Sequence, residues 1–390
     1  MKPCRQPYRA LALAALLALP AFAASAQSWK YRQVAAPREA QAMDPVSSVT
    51  RGADGLLYGT AARGGAYGTG SVYRVEADDG ITVLHSFAAD GSEGSNPFAG
   101  LLLAGDGWFY GGTSWGMDAH GTLFRISPAG EFEVLHVFSG SDHGPTYTLA
   151  QDAAGNLYGN VIDFAYDAVF KMTPDRQVTI LHRFTGQADG GMPSGPLLLG
   201  ADGTLYGTAT LGPWSPCGEV FALAPDGEVR VLHSFMRPPA HDDGCDPAGA
   251  LAVGRDRRLH GTTFGTVIGS EHPYGTAFSL SLQGEFALTH VFAGDDPLGS
   301  HPYGGLVANA QGQLFGTTLF GGAHGIGTVF SLSPTGVGRK TLHEFGHAGP
   351  ADGAYPYVAP TVLPDGTLVG TTSEGGGPGA GTVYTLTPHD

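Results

Sequence analysis

The sequence predicts an all-β fold, a seven-bladed β-propeller with four antiparallel strands per blade. Three observations carry this. The chain combines 62 glycines and 27 prolines with a 42 % hydrophobic content among 390 residues, which excludes a mainly helical protein yet leaves enough apolar side chain for a core. Four short motifs recur in order along the chain with a spacing of ~50 residues, the length of one propeller blade. Finally, one of the four motifs is present in one copy fewer than the others.

The elements follow in order. Each unit opens with a proline, at Pro45, Pro97, Pro145, Pro193, Pro247, Pro302 and Pro356, and strand A follows it. Strand B carries a segment of Leu-Tyr-Gly-Thr type, as at Leu57-Tyr58-Gly59-Thr60 and Leu205-Tyr206-Gly207-Thr208, with seven copies ending at Leu368-Val369-Gly370-Thr371. Strand C carries a Gly-Thr-Val-Phe segment starting at Gly70, Gly121, Asp167, Gly218, Gly275, Gly327 and Gly381. Strand D carries Leu-His-x-Phe, centred on His85, His136, His182, His233, His290 and His343, six copies in all. Asp-Gly pairs such as Asp54-Gly55 and Asp365-Gly366 supply the A–B turns, and Pro128-Ala129-Gly130 is a C–D turn. The missing seventh strand D is matched by an unassigned apolar segment at Trp29 to Val34. That segment is expected to complete the last blade and close the ring, which removes the open sheet ends of a linear stack.

These repeats resemble those of the bacterial GloVer tandem-repeat proteins. The resemblance rests on Gly-x-Leu-Tyr-Gly-Thr, a Gly-rich loop, Gly-Thr-Val-Phe and Val-Leu-His-Ser-Phe, and it covers residues 45–386. It implies a surface-sorted or secreted protein with no settled activity, and it supplies no catalytic residues. This chain departs from anchored members of the family because it stops after its last strand.

Residues 1–26 have the pattern of a cleaved signal peptide: Lys2, Arg5 and Arg9, an apolar stretch from Leu11 to Ala24, and Ala24-Ser25-Ala26 before Gln27. A single propeller domain over residues 27–390 is expected, secreted or periplasmic, without a membrane span and monomeric. Losing the three basic residues moves the formal charge from −15 to −18. Such a charge repels nucleic acid and anionic membranes. Cys217 and Cys245 remain in the exported part, where a disulfide is the default state.

The long B–C and D–A connections fall on one face and define where function is sought. The residues preceding the repeated prolines are expected at the channel mouth, and Asp44, Asp246, His301 and Tyr355 form its polar arc. A carboxylate, imidazole and phenol cluster suits acid–base chemistry or a polar ligand; the competing explanation is that such residues simply start turns. Tyr303 and Tyr357 are placed near the same mouth. Aromatic residues of the B–C loops (Tyr67, Trp115, Tyr166, Trp214 and Tyr274, with Phe164, Phe264 and Phe320) offer flat surfaces for stacking on sugar rings or anchoring a protein. His120, His241, His272 and His324 interleave with them.

Other motifs are set aside on context. His343-Glu344-Phe345-Gly346-His347 has zincin spacing but sits on a predicted strand, where the two imidazoles diverge. Gly112-Thr113-Ser114-Trp115-Gly116 resembles a nucleophile elbow but occupies a position shared by all seven units. The repeated strand-D histidine is a packing residue. No metal site is expected beyond weak structural Ca²⁺ binding at Asp90, Asp189, Asp243 or Asp352. Arg255, Arg257 and Arg258 belong to an A–B turn on the opposite face. The leading expectation is a non-catalytic propeller that binds a neutral glycan or an extracellular or envelope protein. A glycan-active hydrolase or lyase at the mouth, or a structural envelope-assembly module, are the alternatives.

Overall fold

A computed structural model describes residues 28–389 except 39–40, 115–120, 139–143, 146, 162–166, 187–188, 212–216, 237–242, 266–271, 348 and 377–378. Seven small antiparallel sheets form a ring, and no α-helix occurs among the described residues. Blade 1 has strands A to D at Thr50–Arg51, Leu57–Ala61, Ser71–Val75 and Ile81–Ser86. The same order repeats around the ring. Blade 4 adds a fifth strand, Gly191–Pro193, paired with its strand B, Leu205–Leu211.

Blade 7 joins the two ends of the chain. Its strands A to C are Thr361–Val362, Leu368–Thr372 and Thr382–His389, and its strand D is Ser28–Ala35. The N-terminal strand runs antiparallel to strand C, from Ser28 opposite His389 to Ala35 opposite Val383. It carries the same irregularity as every other strand D. In blade 2, Leu135 is the extra residue of a bulge between the pairs Leu123–His136 and Phe124–Val134; in blade 7, Val34 is the extra residue between Val383–Ala35 and Tyr384–Gln33. The bulge bends the outer strand and strengthens its twist.

The repeated motifs have separate physical jobs. The strand-B tyrosine reaches back to the A–B turn, where Tyr58, Tyr110 and Tyr158 donate their hydroxyls to Asp54, Asp106 and Asp152 at 2.6, 2.7 and 2.9 Å. In blade 5, His260 takes the tyrosine's place and bonds Asp256 at 3.1 Å. The strand-B threonine ties one blade to the next. Thr60, Thr262 and Thr317 donate to the carbonyls of Ala99, Pro302 and Val358, and Thr371 closes the ring by donating to Ser47 at 2.9 Å.

Apolar burial lies between blades. Val72 and Phe87 of blade 1 pack with Phe109, Phe124 and Ile126 of blade 2, and Phe345 of blade 6 packs with Leu368, Tyr384 and Leu386 of blade 7. Each blade therefore depends on both neighbours for its core, so closure of the ring completes the last layer of burial.

The strand-D histidine belongs to this scaffold. Among the described residues, in five blades its Nε2 lies against an acid from the following D–A connection: His85–Glu93, His182–Asp189, His233–Asp243, His290–Asp296 and His343–Asp352, at 2.8 to 3.1 Å. The same acids accept backbone N–H groups of the connection, as Glu93 does from Ala88 and Asp243 from Met236. The ring then stacks on the first residue of strand D in the next blade, as His85 does on Phe132 and His233 on Phe286.

Candidate functional site

The prolines that open each unit mark a backbone junction between blades. The residue before the proline has a positive φ in six of the seven units: Asp44, Asn96, Met192, Asp246, His301 and Tyr355 lie between 51° and 58°. At His301 the N–H donates to Tyr274 of the preceding blade at 2.8 Å, and the carbonyl accepts from Leu319 of its own blade at 3.0 Å. Asp246 and Tyr355 repeat this arrangement with Cys217 and Phe264, and with Ile326 and Ser373. The left-handed conformation is costly for side chains other than glycine. Its recurrence with unrelated side chains assigns it to joining blades.

The four polar residues expected at the mouth take different surroundings. Asp44 borders the mouth and pairs with the Arg63 guanidinium. His301 sits among Phe264, Tyr274 and Phe320, with ring centroids 5.1, 5.7 and 5.3 Å away, and burial holds its imidazole below the ordinary histidine range. Tyr355 meets the other edge of this cluster through Phe320, at 5.9 Å. Asp246 lies next to the disulfide between Cys217 and Cys245, which ties the B–C loop of blade 4 to the connection into blade 5. The described lining of the mouth includes Asp44 but not Asp246, His301 or Tyr355.

What surrounds the mouth is chiefly aromatic. A pocket of about 530 Å³ is walled by Phe98, Tyr147, Tyr303 and Tyr357, with Asp44, Arg63, Ser373 and Glu374 at its polar side. Tyr303 and Tyr357 stand edge to face with centroids 6.0 Å apart, and Phe264 supports Tyr303 from outside at 5.6 Å. Burial pushes the phenols of Tyr147 and Tyr303 upward, and neighbouring Tyr303 and Tyr357 respectively add to the effect. Both hydroxyls therefore remain protonated at neutral pH. They can donate hydrogen bonds, but they are poorly matched to proton transfer at that pH.

The four wall aromatics come from blades 2, 3, 6 and 7, and around blades 4 and 5 the ring is closed by backbone. Gly249 donates to Ser194 at 3.1 Å, Ala250 to Gly304 at 3.1 Å, and Leu306 to Ala250 at 3.0 Å, joining the inner segments of blades 4, 5 and 6. A Cβ on Gly249, at φ +83°, would lie 2.2 Å from the Gly304 carbonyl carbon. Glycine is needed there for the close approach.

Phe98, Tyr147, Arg63, Ser373 and Glu374 were not among the residues expected at the mouth. Phe98 directly follows the repeated proline, as Tyr303 and Tyr357 do, and Tyr147 comes one position later, so the signal was an aromatic just after the proline. Blades 4, 5 and 6 read Pro-x-Gly, with Tyr303 as the middle residue in blade 6, and blades 2, 3 and 7 place Phe98, Tyr147 and Tyr357 within two positions of the proline. Of the B–C loop aromatics, Tyr67 is 62 % exposed and Tyr274 is also exposed. Trp115, Tyr166 and Trp214, with Phe164, His120 and His241, lie outside the described residues.

Among the described residues no group of three or more His, Cys, Asp or Glu side chains is arranged to hold a metal ion, and no helix is long and apolar enough to cross a membrane. Of the acids considered for Ca²⁺, Asp189, Asp243 and Asp352 are engaged by strand-D histidines, and Asp90 accepts from Ser92.

Ring, closure and mouth together define a seven-bladed propeller with an aromatic-walled opening on its long-loop face. The chain belongs to the Gloeobacter/Verrucomicrobia repeat family, whose pattern matches residues 22–164 and 162–384. No curated protein matches it. Among solved structures it is similar to virginiamycin B lyase from Staphylococcus aureus, with 16 % identity and a TM-score of 0.60 over 92 % of this chain and 99 % of that one. It is also similar to an oligogalacturonate lyase in complex with manganese, with 13 % identity and a TM-score of 0.59 over 93 % and 97 %. At such identities the likeness is one of fold.

Proposed function

We propose that this protein is an exported, non-catalytic propeller that binds a neutral glycan at the mouth of its central channel. The observation that carries this reading is the wall formed by Phe98, Tyr147, Tyr303 and Tyr357 beside the polar groups of Asp44, Arg63, Ser373 and Glu374. Ring faces and edges suit the apolar faces of a pyranose, and the polar side supplies donors and acceptors for its hydroxyls. The paired charges of Asp44 and Arg63 leave no surplus positive charge to attract a polyanion. The raised phenols and the separate surroundings of Asp44 and His301 favour holding a ligand over turning it over.

The test is a screen of neutral oligosaccharides against the exported chain, with product analysis of each binder. Tyr303→Ala and Tyr357→Ala are expected to weaken binding at least tenfold each, and the ligand is expected to be recovered intact. Unchanged affinity in both variants overturns the reading. Turnover that is lost in an Asp246→Ala/His301→Ala double variant would establish the enzymatic alternative.

A further inference from the structure

Below the mouth the central channel changes chemistry. A second cavity of about 400 Å³ shares Phe98, Tyr147, Tyr303 and Tyr357 with the mouth and continues along the axis. All seven blades contribute to its lining, from Ser47 in blade 1 to Val362 in blade 7. None of its described lining side chains is charged, whereas the mouth carries Asp44, Arg63 and Glu374. Its walls are mainly Pro196, Ala250, Val307, Ala308, Pro360 and Val362. Beyond the tyrosines shared with the mouth it has four serine and threonine hydroxyls, and two of them are already committed: Ser47 pairs with Thr60 at 2.7 Å, and Thr361 donates to the Val49 carbonyl at 2.6 Å.

We infer that the ligand of this propeller is an amphiphile: its polar head rests in the mouth, and a linear alkyl chain passes between the four aromatic rings into the axial cavity. The inference rests on the mouth being the binding site and specifies the ligand beyond a sugar. A sugar entering the axial cavity would lose hydration without finding enough free partners there, because unpaired buried polar groups are costly. An alkyl chain loses nothing by this transfer and gains burial. The backbone contact between blades 4, 5 and 6 keeps the channel narrow on one side, which suits a chain rather than a plate.

The experiment is titration calorimetry with methyl, butyl, hexyl and octyl β-D-glucopyranosides, all below their micelle concentrations. Affinity is expected to rise with each methylene, up to about fourfold, the equivalent of ~0.8 kcal/mol, with a heat-capacity change that becomes more negative as the chain lengthens. Val307→Trp and, separately, Ala308→Phe narrow the axial cavity; both are expected to flatten the dependence on chain length while leaving methyl glucoside binding unchanged. Near-UV circular dichroism checks that each variant is folded, so that a failure of one leaves the other to decide. Equal affinity for the methyl and octyl compounds overturns the inference, as does a chain-length dependence that survives in a folded variant. The two readings fail separately. Neutral oligosaccharides that bind without a chain-length effect support the mouth alone, whereas chain-length-dependent binding by octyl glucoside, with no measurable binding of methyl glucoside or free oligosaccharide, supports the channel alone.

Discussion

Tyr31 and His343 stack face to face across the seam where the two ends of the chain meet, with ring centroids 3.9 Å apart and 6° between their planes. The Tyr31 hydroxyl also donates to the Asp352 carbonyl at 2.7 Å, while the Asp352 carboxylate takes His343 Nε2 at 2.8 Å. This seam repeats an ordinary interface of the ring. His85 stacks on Phe132 at 3.7 Å and His233 on Phe286 at 3.9 Å, each on the first residue of the next strand D. Tyr31 holds that place in blade 7, since it lies opposite Leu386 as Phe132 lies opposite Ile126.

Tyr31 should therefore control the stability of the whole ring. Tyr31→Phe keeps the stack and loses one hydrogen bond, a cost of ~1 kcal/mol. Tyr31→Ala removes the stack and opens the layer packed by Phe345 and Tyr384, at about 3–4 kcal/mol. Urea denaturation compares the two. Equal losses would show that the hydroxyl, and not the stack, secures the closure.

The junction before each proline makes a second prediction. Met192 holds φ at 51° with an exposed side chain. A β-branched residue resists that conformation, so Met192→Val should cost about 1–2 kcal/mol. Met192→Gly should be close to neutral, because relief of strain offsets the greater freedom of the unfolded chain. Thermal denaturation that ranks valine equal to glycine would remove backbone strain from the explanation.

The Cys217–Cys245 disulfide closes a segment with a sequence separation of 28. Chain entropy alone gives a loop of this size ~3.5 kcal/mol of stabilisation. Replacing both cysteines by serine should lower the thermal midpoint. It should also loosen the connection that presents Asp243 to His233 and Asp246 to the junction. Hydrogen exchange at residues 217–246 reads that local effect separately from global stability.

The ring was legible because each of its parts repeats: a proline that recurs seven times, a histidine six times or a strand-B threonine five times reports a shared contact. Even the closure could be read, from one absent Leu-His-x-Phe. The mouth was less legible because a site is made by differences between units. Phe98 and Tyr147 meet Tyr303 and Tyr357 across a ring whose blades 4 to 6 are joined by backbone at Pro-x-Gly, and a single strand's pattern does not show this. The residues before the prolines drew attention by their varied chemistry, yet what they share is a backbone conformation. Arg63 and Glu374 come from loops whose direction no local periodicity determines.

A buried carboxylate provides the last prediction. Strand C of blades 2, 5, 6 and 7 begins with Thr122, Thr276, Thr328 and Thr382, each paired with a strand-B threonine. Blade 4 has Glu219 instead, opposite Ala209, with only 2 % of its surface exposed and Oε1 without a hydrogen-bond partner among the described residues. Burial, reinforced by the charge of Asp189, pushes Glu219 from the usual 4.5 up to about 7. The folded chain thus keeps a proton that the unfolded chain releases. Its contribution is fully present below pH ~4.5, declines as pH rises toward ~7, and is flat above that. Asp189 itself is lowered, so its stabilising effect is lost only at more acidic pH, outside this window. Glu219→Gln should abolish the decline and be more stable than the parent at pH 8 by roughly 2–3 kcal/mol, with little difference at pH 4.5. Urea midpoints measured at both pH values decide it: a parent chain whose stability does not fall between them, or a glutamine variant that falls equally, rules out Glu219 as the source.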